Sequence, residues 1–161
     1  MTIHTPPENP AELTQFIETR YHATHRTQLP ALIVLAEKVE TVHQNEADVP
    51  AGLAALLRKI SGELEVHMKK EELILFPAMR RAMAGLDAPI TAMRGDHDDH
   101  TNEVAMIKRL TNNLTLPAGA CGSWTRLYAD LNEFVVDLEE HIRLENDVLF
   151  PRFETSTGGN A

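Results

Sequence analysis

HMKKEELILFP at His67–Pro77 and HIRLENDVLFP at His141–Pro151 are the stretches whose comparison decides the fold. His, Glu, Leu, Phe and Pro recur at the same five places, at an offset of 74 residues. At an offset of 75, His22-Ala-Thr-His25 answers His97-Asp-Asp-His100. The chain is therefore a doubled unit of the form H-x-x-H … H-x-x-x-E-x-x-x-L-F-P. Histidine at i and glutamate at i+4 lie on one helix face, about 6 Å of rise apart, so the pair can serve one centre or bridge two.

Around these stretches the apolar positions keep a helical rhythm. Leu53, Leu57, Ile60, Leu64, His67, Glu71, Ile74 and Ala78 step by alternating fours and threes. So do Leu127, Leu131, Phe134, Leu138, His141, Glu145 and Val148. Two further seams carry His22, His25, Leu29, Leu32, Ala36, Val39 and His43, and Ile90, Met93, His97, His100, Val104 and Ile107. Strand-like alternation is almost absent. The reading is an all-α, antiparallel up-down four-helix bundle built from two helical hairpins.

Prolines set the expected boundaries. Asn9-Pro10 with Glu12 reads as a capped helix start, and Pro50, Pro89 and Pro117 are expected to open three more helices. The expected helices cover 10–46, 50–85, 88–114 and 118–153, with a kink or break at Pro30. The bundle domain spans 10–154, and residues 1–9 and 155–161 are expected to be disordered.

The 161 residues suit one domain. With 15 basic and 24 acidic residues the net charge is −9, which argues against nucleic acid as a partner. A single cysteine, Cys121, excludes a disulfide framework and a zinc ribbon. No apolar run approaches the ~20 residues that span a bilayer, so no membrane partner is expected. MTIHTPPENP lacks the pattern of a secretory signal, and a cytoplasmic protein is expected.

Each seam places polar groups where leucine belongs, and unpaired buried histidines and carboxylates cost several kcal/mol as an order of magnitude. Counting outward from the two hairpin loops brings His22, Glu71, His97 and His141 to one depth, and with their i,i+4 partners His67 and Glu145 they form the inner set His22, His67, Glu71, His97, His141 and Glu145. Imidazole and carboxylate ligands without thiolate suit iron or manganese better than structural zinc. Two metals sharing six ligands leave coordination positions open if the glutamates bridge. His25 and His100, one turn along, are either extra ligands or hydrogen-bond partners of ligands. His43 lies about 31 Å beyond His22 along a straight helix and reads as a capping or surface histidine. Asp96 either lines an entry path, accepts a hydrogen bond or faces solvent. Phe76 and Phe150 are expected to wall the site. Trp124 and Tyr128 read as core or interface anchors, Cys121 as a small structural residue, and Lys69-Lys70 and Arg80-Arg81 as solvated faces.

These motifs resemble the hemerythrin-like, or HHE cation-binding, superfamily, and within it the di-iron proteins that repair iron–sulfur clusters. The resemblance is carried by Arg20-Tyr21-His22, His25-Arg26, Gln28-Leu29-Pro30, His67 through Pro77, Asp96-His97-Asp98, Thr111-Asn112-Asn113 and His141 through Pro151, within residues 14–153. It implies a non-haem centre of two iron ions with an oxo or hydroxo bridge. Glu71 and Glu145 would bridge, and His22, His67, His97 and His141 would be terminal ligands. The implied function is repair of clusters damaged by nitric oxide or oxidative stress, by iron donation, nitric oxide binding and reduction, or both. Whether that includes enzymatic turnover of nitric oxide stays open. Damaged iron–sulfur proteins would be clients, and nitric oxide or dioxygen the small ligand. The alternative is an oxygen or nitric oxide carrier or sensor, which ligation by His25 or His100 would favour. Many such repair proteins carry an N-terminal domain with a cysteine pair. The resemblance here begins at the bundle, so steps needing that domain are not expected of this chain.

Overall fold

The structure is a computed structural model that describes residues 5–155. Asn9 caps the first helix as expected: its side chain accepts from the Glu12 N–H at 3.1 Å, with Pro10 in the first turn. Helix α1 (Pro10–Ile17) continues through a π-helical turn, Glu18–His22, into α2 (Ala23–Val42). The second rod is α3 (Leu53–Lys70), a π-turn at Glu71–Leu75 and α4 (Phe76–Arg80). The third is α5 (Asp87–Leu110), and the fourth is α6 (Gly122–Arg143) with a π-turn at Leu144–Leu149 and a 3₁₀ turn at Phe150–Arg152. No strand occurs among the described residues, and the four rods form the expected bundle.

Two boundary expectations need correction. Pro50 and Pro117 lie in connections and do not open helices. Gly52, in the left-handed region at φ 92°, turns the chain into α3, and the Glu40 carboxylate accepts the Gly52 and Ala54 N–H groups, each at 2.8 Å. At α6 the Cys121 thiol accepts from the Trp124 N–H, so this cysteine is a helix cap. Helix α2 also runs unbroken through Pro30. The proline is on the solvent side, where the Arg26 carbonyl it leaves unpaired can meet water. Residues 5–9 carry no helix, and the Thr155 N–H donates to Asp87 Oδ1 at 2.8 Å. Residues 1–4 and 156–161, within the segments expected to be disordered, lie outside the described residues.

The seams also need a correction, and it bears on the site. Ile74, expected inward, is displaced by Leu75: Ile74 is 66% exposed and Leu75 only 2%, while Val148 stays partly buried beside the fully buried Leu149. Each π-turn inserts one residue, so the inward face advances by one position beyond Glu71 and Glu145. This register predicts that Leu75→Ala costs about 2–5 kcal/mol, whereas Ile74→Ala stays within about 0.5 kcal/mol. Urea midpoints of the two variants check it, and an uninterrupted α-helix would give the reverse order.

The core is split in two. Leu29, Leu32, Leu57, Leu64, Trp124, Leu131 and Phe134 belong to one apolar cluster. Leu13, Ile17, Phe76, Ile90, Leu149 and Phe150 belong to the other. Between them every rod contributes buried histidine or glutamate, giving a polar layer sealed above and below by apolar packing.

Candidate metal centre

His22, His67, Glu71, His97, His141 and Glu145 all lie in this layer, each at most 1% exposed. They form two groups whose donor atoms fall within 4.8 Å of one another: His22, His141, Glu71 and Glu145, and His67, His97, Glu71 and Glu145. Both carboxylates belong to both groups. Glu71 turns Oε1 to His22 Nε2 at 3.1 Å and Oε2 to His67 Nε2 at 3.3 Å. Glu145 turns Oε2 to His141 Nε2 at 2.9 Å and Oε1 to His97 Nε2 at 2.8 Å.

The layer passes a direct test of fit for cations. His67 Nε2, Glu71 Oε2, His97 Nε2 and Glu145 Oε1 are buried without a properly directed hydrogen bond, although they lie close together. Four orphaned polar atoms gathered in one spot call for a shared partner. Imidazole and carboxylate donors facing one point satisfy one another through a cation.

The electrostatics agree. Burial and the neighbouring Glu145 charge both push the Glu71 carboxyl well above its usual range. Burial opposes charge on His67, yet the Glu71 and Glu145 carboxylates outweigh it and hold its pKa up at about 11. Burial, with His141 beside it, pushes His22 down to about 4. Buried like charges at this separation are costly without a compensating cation.

With all four Nε2 atoms turned inward, the Nδ1 atoms are held from outside. His22 Nδ1 lies 2.7 Å from Glu72, His67 Nδ1 3.0 Å from Asp96, His97 Nδ1 2.7 Å from Asn146 and His141 Nδ1 3.0 Å from His25 Nε2. Such contacts fix the tautomer and the ring plane. Arg26 braces Glu72 and Glu65 together through bonds of 2.8–3.1 Å. Phe76 stacks on His22 and Phe150 on His97, at interplanar angles of 13° and 2°, so both wall the site as expected.

His25 belongs to no donor group, and His100 falls outside the inner two, in a separate group with Glu63 and Glu103. His25 backs His141, and His100 Nδ1 bonds Glu103 at 3.0 Å. His43 is the C-cap of α2, packed on Trp124 at 4.7 Å and touching Cys121 at 3.1 Å. Trp124 and Tyr128 are core residues. Arg80 is more than a solvated charge, because it bonds Thr14 at 2.9 Å and pairs with Glu18. Thr111-Asn112-Asn113 builds a left-handed turn that ends α5, with both asparagines at positive φ.

Sequence reasoning missed Glu72 and Asn146. A signal existed, because both directly follow a repeated glutamate and occupy equivalent places one repeat apart. A solvent-open cleft of 370 Å³ between α3 and α5 is lined by Glu63, His67, Lys70, Asp96, Asp99 and His100, so His67 is the inner residue that borders it. Asp96 both lines this cleft and accepts the His67 hydrogen bond. No helix among the described residues is long and apolar enough to cross a membrane.

A four-helix bundle with a sealed layer of paired histidines and two shared carboxylates defines a class of cation-binding helical proteins. The profile of the Hemerythrin HHE cation binding domain matches residues 17–153, and the chain belongs to that family. It is 50% identical over 143 residues to the iron-sulfur cluster repair protein YtfE of Pectobacterium atrosepticum, covering 88% of this chain and 65% of that protein. It is 52% identical over 145 residues to the probable iron-sulfur cluster repair protein of Haemophilus influenzae, covering 88% of this chain and 64% of that protein. The chain thus spans just under two thirds of the length of these relatives.

Proposed function

We propose that this chain holds two iron ions and serves in the cytoplasm to repair iron–sulfur clusters damaged by nitric oxide or oxidative stress. His22 and His141 would hold one ion and His67 and His97 the other, with Glu71 and Glu145 shared between them. The observation that carries this reading is the pair of donor groups sharing both carboxylates, with orphaned buried atoms in the layer. Its support from relatives is that two proteins 50% and 52% identical over the matched region are named for cluster repair.

When bound, iron would supply open coordination positions for nitric oxide, electrons for its reduction, and metal for an incomplete cluster. The chain's own part is to hold four imidazoles with Nε2 inward and to exclude bulk water with Phe76 and Phe150. The cleft at His67 gives a small molecule or departing ion a short path. The second reading is a carrier or sensor of dioxygen or nitric oxide, and against it stands His25, whose two ring nitrogens face His141 and Gln28 and leave it no free donor for a metal.

The test is incubation of the anaerobically iron-loaded chain with a nitric-oxide-damaged [4Fe–4S] protein, with separate titration by nitric oxide and detection of nitrous oxide. Recovery of the client's cluster, with or without nitrous oxide, is the expected result. Reversible dioxygen binding with no recovery would instead make the chain a carrier.

A further inference from the structure

We propose that His25, Gln28 and Asp137 form a positioning relay that anchors His141, and with it the metal position shared by His22 and His141, to the surface residue Arg20. The proposal rests on the reading of His141 as a ligand and goes beyond it.

The direction of every bond follows from the first. His141 Nε2 faces the centre, beside Glu145 at 2.9 Å, so its proton is on Nδ1 and is donated to His25 Nε2 at 3.0 Å. The His25 proton is then on its own Nδ1 and is donated to Gln28 Oε1 at 3.4 Å. That fixes the Gln28 amide, whose nitrogen donates to Asp137 Oδ2 at 3.0 Å. Asp137 Oδ1 accepts from Arg20 Nη2 at 3.0 Å. No donor or acceptor in this path is used against its direction, and it runs from a fully buried imidazole to a surface ion pair. The ring is locked from its face as well: Tyr21 stacks on His141 at 16°, and the Arg20 guanidinium lies 4.7 Å over Tyr21. Phe134 packs edge-on against His25.

The other half of the molecule contains the same parts unconnected. His100, Glu103 and Glu63 stand one repeat away from His25, Gln28 and Asp137, and His100 Nδ1 bonds Glu103 as His25 bonds Gln28. Lys59 lies 3.2 Å from Glu103 and 3.5 Å from Glu63, so a cation closes this set too. Yet His100 Nε2 is buried without a partner, because Asp96 already holds His67 Nδ1 and the two rings meet edge-on at 89°. The two metal positions are therefore inequivalent despite the sequence repeat: His141 is wired through three side chains to Arg20, and His22 through Glu72 to Arg26 and Glu65, whereas His67 and His97 each rest on one. A polarised hydrogen-bond partner makes a ligating imidazole more basic and holds its orientation.

The experiment loads the full chain with ferrous iron anaerobically and follows transfer of iron to an excess of a coloured chelator. Gln28→Met keeps the volume and cuts the relay in the middle, and release of the more slowly lost iron is expected to accelerate about tenfold. Asp137→Asn keeps the hydrogen bonds and removes the charge, and a smaller acceleration is expected. The double variant is expected to be no faster than Gln28→Met, since both changes act through one path. Asp130→Asn, a surface acid of the same helix outside the relay, serves as control with an unchanged rate. Iron-free melting temperatures equal to wild type separate positioning from general destabilisation. Unchanged release in Gln28→Met, or acceleration matched by loss of iron-free stability, overturns the relay while leaving the metal centre intact. A wild-type chain that takes up no iron overturns the functional reading and the relay together.

Discussion

Replacing Glu145 by alanine is expected to abolish iron binding at both proposed positions, while replacing His22 or His67 by alanine is expected to weaken one position preferentially. The difference follows from sharing: Glu145 turns one oxygen to each donor group, whereas His22 and His67 serve one each. Each ion in the Glu145→Ala chain loses one of four protein donors and its tie to the other ion. Loss of a contact that merely orients a ligand costs 10–100-fold in affinity, so loss of a shared ligand is expected to cost at least about 100-fold at both positions. Iron per chain after desalting reads the result. A Glu145→Ala chain that keeps one ion firmly bound would mean the carboxylates do not bridge.

Iron loading is expected to raise the melting temperature on the order of 10 °C, and chelation under reducing conditions to reverse it. A ligand that binds only the folded state, present at 1,000 times its dissociation constant, adds about 4 kcal/mol, and each kcal/mol is worth about 2–4 °C at this size. The dependence on pH has a definite sign. In the metal-free layer the pKa of His67 sits at about 11, above its unfolded value, so its pairing with Glu71 and Glu145 stabilises the fold fully below about pH 6.5. That contribution fades only as the pH rises towards 11. Near neutrality His67 therefore carries a proton that a metal must displace, and iron affinity rises about tenfold per pH unit for each proton released. Scanning calorimetry with and without iron, and proton release on ferrous addition in weakly buffered solution, measure the two effects. A melting temperature indifferent to chelation would leave the polar layer as a structural feature only.

How much of this was legible in the sequence divides along physical lines. The bundle was, because helical periodicity and the repeat at an offset of 74 are properties of the chain itself. The candidate ligands were legible for the same reason: buried histidines and glutamates at matched seam positions stand out against leucine. The inward face beyond Glu71 and Glu145 was not. Periodicity assumes 3.6 residues per turn, and a π-turn breaks that count, so Ile74 was placed inside where Leu75 belongs, and the fully buried Leu149 beside the half-buried Val148 was not singled out. The hydrogen-bond partners of the ligands were hidden for a different reason. Asn146 backs His97 and Asp137 ends the path from His141, and both pairings depend on which rods are neighbours and how each side chain is turned. His25 and His100 show the limit most clearly, since equivalent places in the repeat lead to a connected imidazole in one half and an unpartnered one in the other.

The most direct test of a shared-carboxylate centre is the iron content of the chain reconstituted anaerobically with ferrous iron and then desalted. Two iron ions per chain are expected. A chain that retains one ion, or none, would contradict a centre built on Glu71 and Glu145 as shared ligands.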